Sequence, residues 1–175
     1  DLDVACVVAD GDVQARPGVT IVRVSDARRA LPQLAAAISG DPGKDIPVVG
    51  ITGTNGKTTI TWMLEAMARS AELQVGIMGT TGHRVAGQPV PASYTTPEAP
   101  VIQHLLSRFI EAGCGLAAME VSSIALALHR ADAIPYRVAV FTNLSRDHLD
   151  FHGGMDEYLE AKARLFRELV ATDGT

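Results

Sequence analysis

Apolar residues follow two rhythms along this chain: short continuous runs, and longer stretches spaced by three and four. Val4 to Ala9 and Val19 to Val24 are β-branched runs that predict strands. Asp26 to Ile38 has helical spacing, with Leu31, Leu34, Ala35 and Ile38 on one stripe and Ser25 as its cap. Gly40-Asp41-Pro42-Gly43 interrupts the pattern and predicts a linker and domain boundary. Ile46 to Thr52 is a continuous apolar run, as a strand buried on both faces requires. A Gly-rich turn then leads into a helix over Thr58 to Ala71, striped by Ile60, Met63, Leu64 and Met67. Further on the pattern predicts a strand at Val75 to Met78, a small hairpin around Gly87 and a helix over Pro100 to Ala112 facing inward through Val101, Leu105 and Phe109. A strand at Gly115 to Met119, a short helix near Ser123 to Leu128, a strand at Tyr136 to Thr142 and a helix over Met155 to Val170 complete the series. Strands alternating with helices specify an α/β class, a doubly wound and mostly parallel sheet.

Composition narrows the function classes. The 175 residues are 47% hydrophobic and 20% charged, which is ordinary globular chemistry. A net charge of −5 supplies no global basic field, so nucleic acid is not an expected partner. No apolar run is long enough for membrane insertion. Asp1-Leu2-Asp3-Val4 lacks the basic start of a signal peptide, and Cys6 and Cys114 lack metal-ligand spacing. A cytoplasmic protein is expected. The chain opens in a strand-like run and stops just after a helix, which reads as an excerpt of a longer protein.

Without a basic field, phosphates need a local device. Gly53-Thr54-Asn55-Gly56-Lys57-Thr58-Thr59 lies between an apolar strand and an amphipathic helix, the setting of a phosphate loop. Glycines let consecutive N–H groups face one concavity, and the helix start adds unpaired donors and partial positive charge. Lys57 would reach the β- and γ-phosphates, and the Thr58 hydroxyl would bind Mg²⁺. The strict G-x-x-x-x-G-K-[ST] pattern is not met, because Ile51 stands at its first Gly. That departure argues against a P-loop kinase or GTPase.

These residues resemble the ATP loop of the Mur ligase family and its relative folylpolyglutamate synthase. Tyr94-Thr95-Thr96-Pro97-Glu98, Met119-Glu120-Val121-Ser122-Ser123, the run from Phe141 through Asn143 to Gly153, and Glu160-Ala161-Lys162 extend the resemblance over nearly the whole chain. They point to the branch that adds a diamino acid. The resemblance implies three domains: residues 1–43 end a UDP-binding N-terminal domain, residues 44–175 begin the central ATP-binding domain, and the C-terminal domain lies outside this sequence. It implies a monomer that uses ATP and Mg²⁺ to join a diamino acid (meso-diaminopimelate or L-lysine) to UDP-MurNAc-L-Ala-D-Glu through an acyl phosphate. This piece alone is then expected to be inactive. Two other readings are an alanine, glutamate or folate member of the same superfamily, and a non-catalytic nucleotide-binding scaffold.

The resemblance also assigns individual roles, each beside an ordinary one. Glu120, ending a strand near the loop, is implied to bind Mg²⁺; otherwise it is an acid in the first turn of the next helix. His148 is implied to touch the metal at the triphosphate, although Mg²⁺ is a poor match for imidazole and a surface His is the plainer reading. His152 reads as structural. Lys162 shares a helical face with Tyr158, Leu165, Phe166 and Leu169; a lysine there either snorkels to solvent or faces inward. The family's account is carbamylation by CO₂, which makes it an anion. Thr95, Thr96, Ser122 and Arg130 resemble contacts to the muramoyl peptide, although the Thr pair also suits a turn before Pro97. Leu128 replaces a frequent Gln, Tyr94 a frequent Asn, and Ile124 a common His.

Overall fold

The computed structural model describes residues 4–14 and 16–170; the readings at Asp1 to Asp3 and Ala171 to Thr175 lie outside the described residues. Strands β1 (Cys6–Ala9) and β2 (Thr20–Arg23) pair in parallel, and α1 (Ala27–Ile38) follows. The cap of α1 is Asp26, not Ser25: its carboxylate accepts the Arg29 N–H at 3.1 Å. The expected stripe is also displaced. Pro32, Ala35 and Ala36 are buried, whereas Leu31 and Leu34 are 37% exposed and Ile38 is 86% exposed. Alanines form the buried face because α1 packs on α3 (Ala99–Glu111), and small side chains let two helices approach closely. The segment read as a linker is a structured turn. A 3₁₀ turn over Pro42–Lys44 buries Pro42 and Gly43 and packs against α3 as well.

A six-stranded sheet follows, in the order β6-β5-β4-β7-β3-β8. Its parallel strands are β3 (Val48–Thr52), β4 (Val75–Met78), β7 (Leu116–Glu120) and β8 (Tyr136–Phe141); the hairpin of β5 (His83–Val85) and β6 (Gln88–Val90) adds an antiparallel edge. Every residue of β3 and β4 is buried, as continuous apolar runs require. Alternate residues feed two cores. Val49, Ile51, Val75, Ile77 and Ala118 meet Ala68, Ile60 and Leu64 of α2 (Lys57–Ser70). Val48, Met78, Ala117 and Met119 meet Ile102, Leu105, Leu106 and Phe109 of α3 (Ala99–Glu111). Helices on both faces make the sheet doubly wound, as expected.

Two stripes match in part: Ile60 and Leu64 of α2 and Leu105 and Phe109 of α3 pack into the cores as expected, and the other expected residues do not. Met63 and Met67 of α2 are 55% and 68% exposed, while Thr61 and Glu65 are buried. Glu65 is drawn inward because Arg84 of β5 grips both its oxygens, Nε at 3.0 Å, while the Arg84 guanidinium lies 3.7 Å from the Trp62 ring centroid. In α3 it is Ile102, not Val101, that points inward. The last expected helix is also divided. After α4 (Ser123–Ala127) and a short helix absent from the expected pattern, α5 (Leu149–His152), helix α6 runs from Met155 to Arg164 and loosens into a π-type turn at Leu165–Leu169.

Candidate active site

The site lies at the carboxyl ends of β3, β7 and β8, where parallel sheets place ligands. Gly53 leaves β3 with φ +135°, and a Cβ there would sit 1.9 Å from Thr142 Oγ1, so only glycine fits. Gly56, at φ +87°, turns the chain into α2. The first bond of that helix is Ile60 N–H to Gly56 O at 3.0 Å; the amides of Lys57, Thr58 and Thr59 have no earlier turn to bond to. The loop is clamped to the segment after β8. Thr54 N–H donates to Asn143 O at 2.9 Å, Asn55 N–H to Asn143 Oδ1 at 3.1 Å, and Thr142 Oγ1 to Asn55 O at 2.6 Å.

Two lysines converge on one carbonyl. Lys57 Nζ donates to Gly53 O at 2.9 Å and to Thr54 O at 2.8 Å; Lys162 Nζ donates to the same Gly53 O at 2.9 Å. Lys162 is 1% exposed, which removes the snorkelling alternative. Its Nζ lies 4.3 Å from the Tyr158 ring centroid. Burial, then the neighbouring Lys57 charge, lower its pKa from 10.5 to about 8. Burial also lowers the Lys57 pKa, partly opposed by Glu120 and Asp147.

Glu120 faces the same corner from the next strand. It pairs in register with Ile51, two residues before Gly53, and is 1% exposed. Oε1 accepts the Thr80 N–H at 3.1 Å and Oε2 accepts the Thr80 hydroxyl at 3.0 Å. Gly79 makes room for it, since a Cβ there would lie 2.3 Å from Oε1. The first-turn alternative fails: α4 is capped by Ser122, whose Oγ accepts the Ala125 N–H at 3.2 Å. Thr80 was not anticipated as a site residue; its place just past the end of β4 is the same signal that marks Glu120 at the end of β7.

The remaining residues surround this corner. Thr95 Oγ1 is 3.0 Å from Thr80 Oγ1, which links it to Glu120. Thr96 Oγ1 donates to Glu120 O at 2.9 Å and accepts the Ser122 N–H at 3.0 Å, so both residues also brace the β7–α4 turn. Arg130 pairs with Glu98 at 2.8 Å, and its guanidinium lies 5.2 Å from the Tyr94 ring centroid. The unexpected Tyr94 therefore forms a platform for Arg130. His148 is half-exposed at φ +51°, 3.5 Å from Asp147 and 6.5 Å in ring centroids from Tyr158. His152 Nε2 lies 2.9 Å from Ser123 Oγ, tying α5 to α4. Among the described residues no three His, Cys, Asp or Glu side chains form a ready metal cluster.

Known proteins match this chain along most of its length. The model of the Mur ligase middle domain matches residues 51–174. The UDP-N-acetylmuramoyl-L-alanyl-D-glutamate--2,6-diaminopimelate ligase of Geobacter metallireducens is 45% identical over all of this chain and 34% of its own length. The protein of the same name from Corynebacterium efficiens is 49% identical over 82% of this chain and 27% of its own. The chain thus spans about a third of the length of the curated relatives it matches. A solved structure of a ligase of that name superposes with TM-score 0.79 at 30% identity, covering 93% of this chain and 32% of the other. E. coli FolC in complex with DHPP and ADP superposes with TM-score 0.61 at 26% identity, covering 78% and 38%. Among the described residues no helix is long and apolar enough to cross a membrane. The loop, the sheet order and these matches lead to one assignment: the chain belongs to the Mur ligase family, and residues 51–174 match the family's middle domain.

Proposed function

We propose that this chain is the nucleotide-binding part of an ATP-dependent ligase that adds a diamino acid, meso-diaminopimelate or L-lysine, to UDP-MurNAc-L-Ala-D-Glu in the cytoplasm. Residues 1–43 close a UDP-binding domain and residues 44–175 open the ATP-binding one. The observation that carries the reading is the convergence of Lys57 and Lys162 on Gly53 O beside a buried Glu120. Two ammonium groups on one neutral carbonyl repel each other, and among the described residues Glu120 has no cationic partner within ion-pair distance. Such an arrangement suits a polyanion and a divalent cation arriving together.

The residues present fit Mg²⁺. A buried carboxylate and the Thr58 hydroxyl are hard oxygen donors, and Mg²⁺ takes one or two protein oxygens plus phosphates and water. His148, half-exposed at the start of α5, would complete the set. When bound, the ion neutralises charge on the transferring phosphoryl group.

The chain's own groups do the rest. The amides of Gly56 to Thr59 hold the phosphates, with Gly53, Thr54 and Asn55 shaping the concavity. Lys57 leaves the Gly53 and Thr54 carbonyls for the β- and γ-oxygens. Thr95, Thr96, Ser122 and Arg130 orient the muramoyl peptide. Its terminal carboxylate attacks the γ-phosphorus and ADP departs, giving an acyl phosphate. The amine of the diamino acid then attacks the acyl carbon and phosphate leaves. Positioning and charge stabilisation suffice, without a side-chain nucleophile. Neutral Lys162 adds through Nζ to CO₂ and releases a proton to water, and the resulting carbamate would put an anion in place of a repelling cation where Lys162 faces Gly53.

The test is a ligase assay on the full-length protein with ATP, UDP-MurNAc-L-Ala-D-Glu and each diamino acid. Stoichiometric ADP, phosphate and amide product, abolished in Lys57→Ala, is the expected result. Amide-independent nucleotide binding without turnover would favour the scaffold reading instead.

A further inference from the structure

Resting on the reading above, we infer that Tyr158 is a positioning residue that couples the phosphate loop to the lysine-bearing helix α6. Tyr158 is 1% exposed and lies one helical turn before Lys162, so both project from the same face. Its hydroxyl is 3.0 Å from Thr54 Oγ1, and its ring underlies Lys162 Nζ. Thr54 Oγ1 donates to Ser145 O at 3.1 Å and accepts the Ser145 N–H at 3.0 Å. The Thr54 proton is thus already committed, and Tyr158 is the donor of the shared bond. One threonine hydroxyl thereby joins three elements: the loop, the segment after β8 and helix α6.

The geometry has a consequence for nucleotide affinity. The loop must hold its amides toward one point before phosphate arrives, and each bond that fixes Thr54 removes conformations that would have to be abandoned on binding. The aromatic ring serves a second purpose. It fills the space beneath Lys162 with His148 and His152 packed around it, 6.5 and 5.2 Å away in ring centroids, so the amine is left facing Gly53 and the loop. Tyr158 acts through the two residues it meets, Thr54 and Lys162.

The experiment is a double-mutant cycle on the full-length protein with Tyr158→Phe and Thr54→Val, read as KM for ATP and kcat. Tyr158→Phe retains the ring and removes only the bond, so KM should rise roughly fivefold, the equivalent of one net hydrogen bond, with kcat within about twofold. The double variant should match Thr54→Val alone, because the two act through one bond. Thr54→Ser keeps the hydroxyl, so Tyr158→Phe should raise KM by the same factor in a Thr54→Ser background as in the unaltered protein, a comparison that also serves if Thr54→Val fails to fold. An unchanged KM in Tyr158→Phe, or effects that multiply in the double variant, would overturn the inference. Absence of ATP-dependent turnover in the unaltered protein would instead sink the ligase reading, which keeps the two failures distinct.

Discussion

Lys162 is the residue whose placement most needs a functional reason. Its pKa is lowered to about 8, so between pH 8 and 10.5 the unfolded chain holds a proton that the native chain does not. Stability therefore rises with pH across that window, and below it the full cost of the buried cation is present. Lys162→Met should remove this dependence and stabilise the fold by about 1 kcal/mol at pH 7, while ending ligase activity. Urea denaturation at pH 7 and 9.5 checks both parts. The neutral amine also gains population as pH rises toward 8 and beyond, so a ¹³C-carbamate signal from labelled bicarbonate should grow from pH 6.5 to 8.5 and be missing in Lys162→Met.

At the scale of elements, glycines decide which strands can approach which side chains. Gly76 of β4 lies under Phe109 of α3, where an added Cβ would fall 2.2 Å from the ring. Gly76→Ala should cost about 2 kcal/mol, measured by chemical denaturation, with the loop intact. Gly53→Ala belongs to the opposite class: it should strain the loop against Thr142 and lower ATP affinity at least about tenfold by calorimetry. Much of this layer was legible beforehand. Val75 to Met78 is unbroken by polar residues, and its predicted strand matches β4 end to end. The glycine turn between β3 and α2 was legible too, because its glycines, lysine and flanking elements are contiguous. The helix faces were less so. Glu65 lies off the expected stripe of α2, and its burial follows from Arg84, nineteen positions away on another element. Likewise the leucines of α1 read as core, yet the alanines face α3. The bond between Tyr158 and Thr54 joins residues 104 positions apart, which no local pattern records.

Across the whole molecule, the sheet separates scaffold from chemistry. The site occupies the carboxyl ends of β3, β7 and β8, whereas the buried Glu65–Arg84 pair fastens the β5–β6 hairpin to α2. Glu65→Ala leaves a largely buried guanidinium without its partner and should destabilise the fold by about 3 kcal/mol. Nucleotide affinity should stay within about twofold, because the loop draws its clamps from Thr142, Asn143 and Ser145. Parallel denaturation and calorimetry separate these two effects.

The most direct test is a crystal structure of the protein with a non-hydrolysable ATP analogue and Mn²⁺, the metal located by anomalous scattering. The terminal phosphates should lie against the amides of Gly56 to Thr59, with Lys57 moved from Gly53 O onto phosphate oxygens and the metal coordinated by Thr58 and Glu120. A nucleotide bound elsewhere, or a metal peak with Glu120 still satisfied by Thr80 alone, would contradict the account.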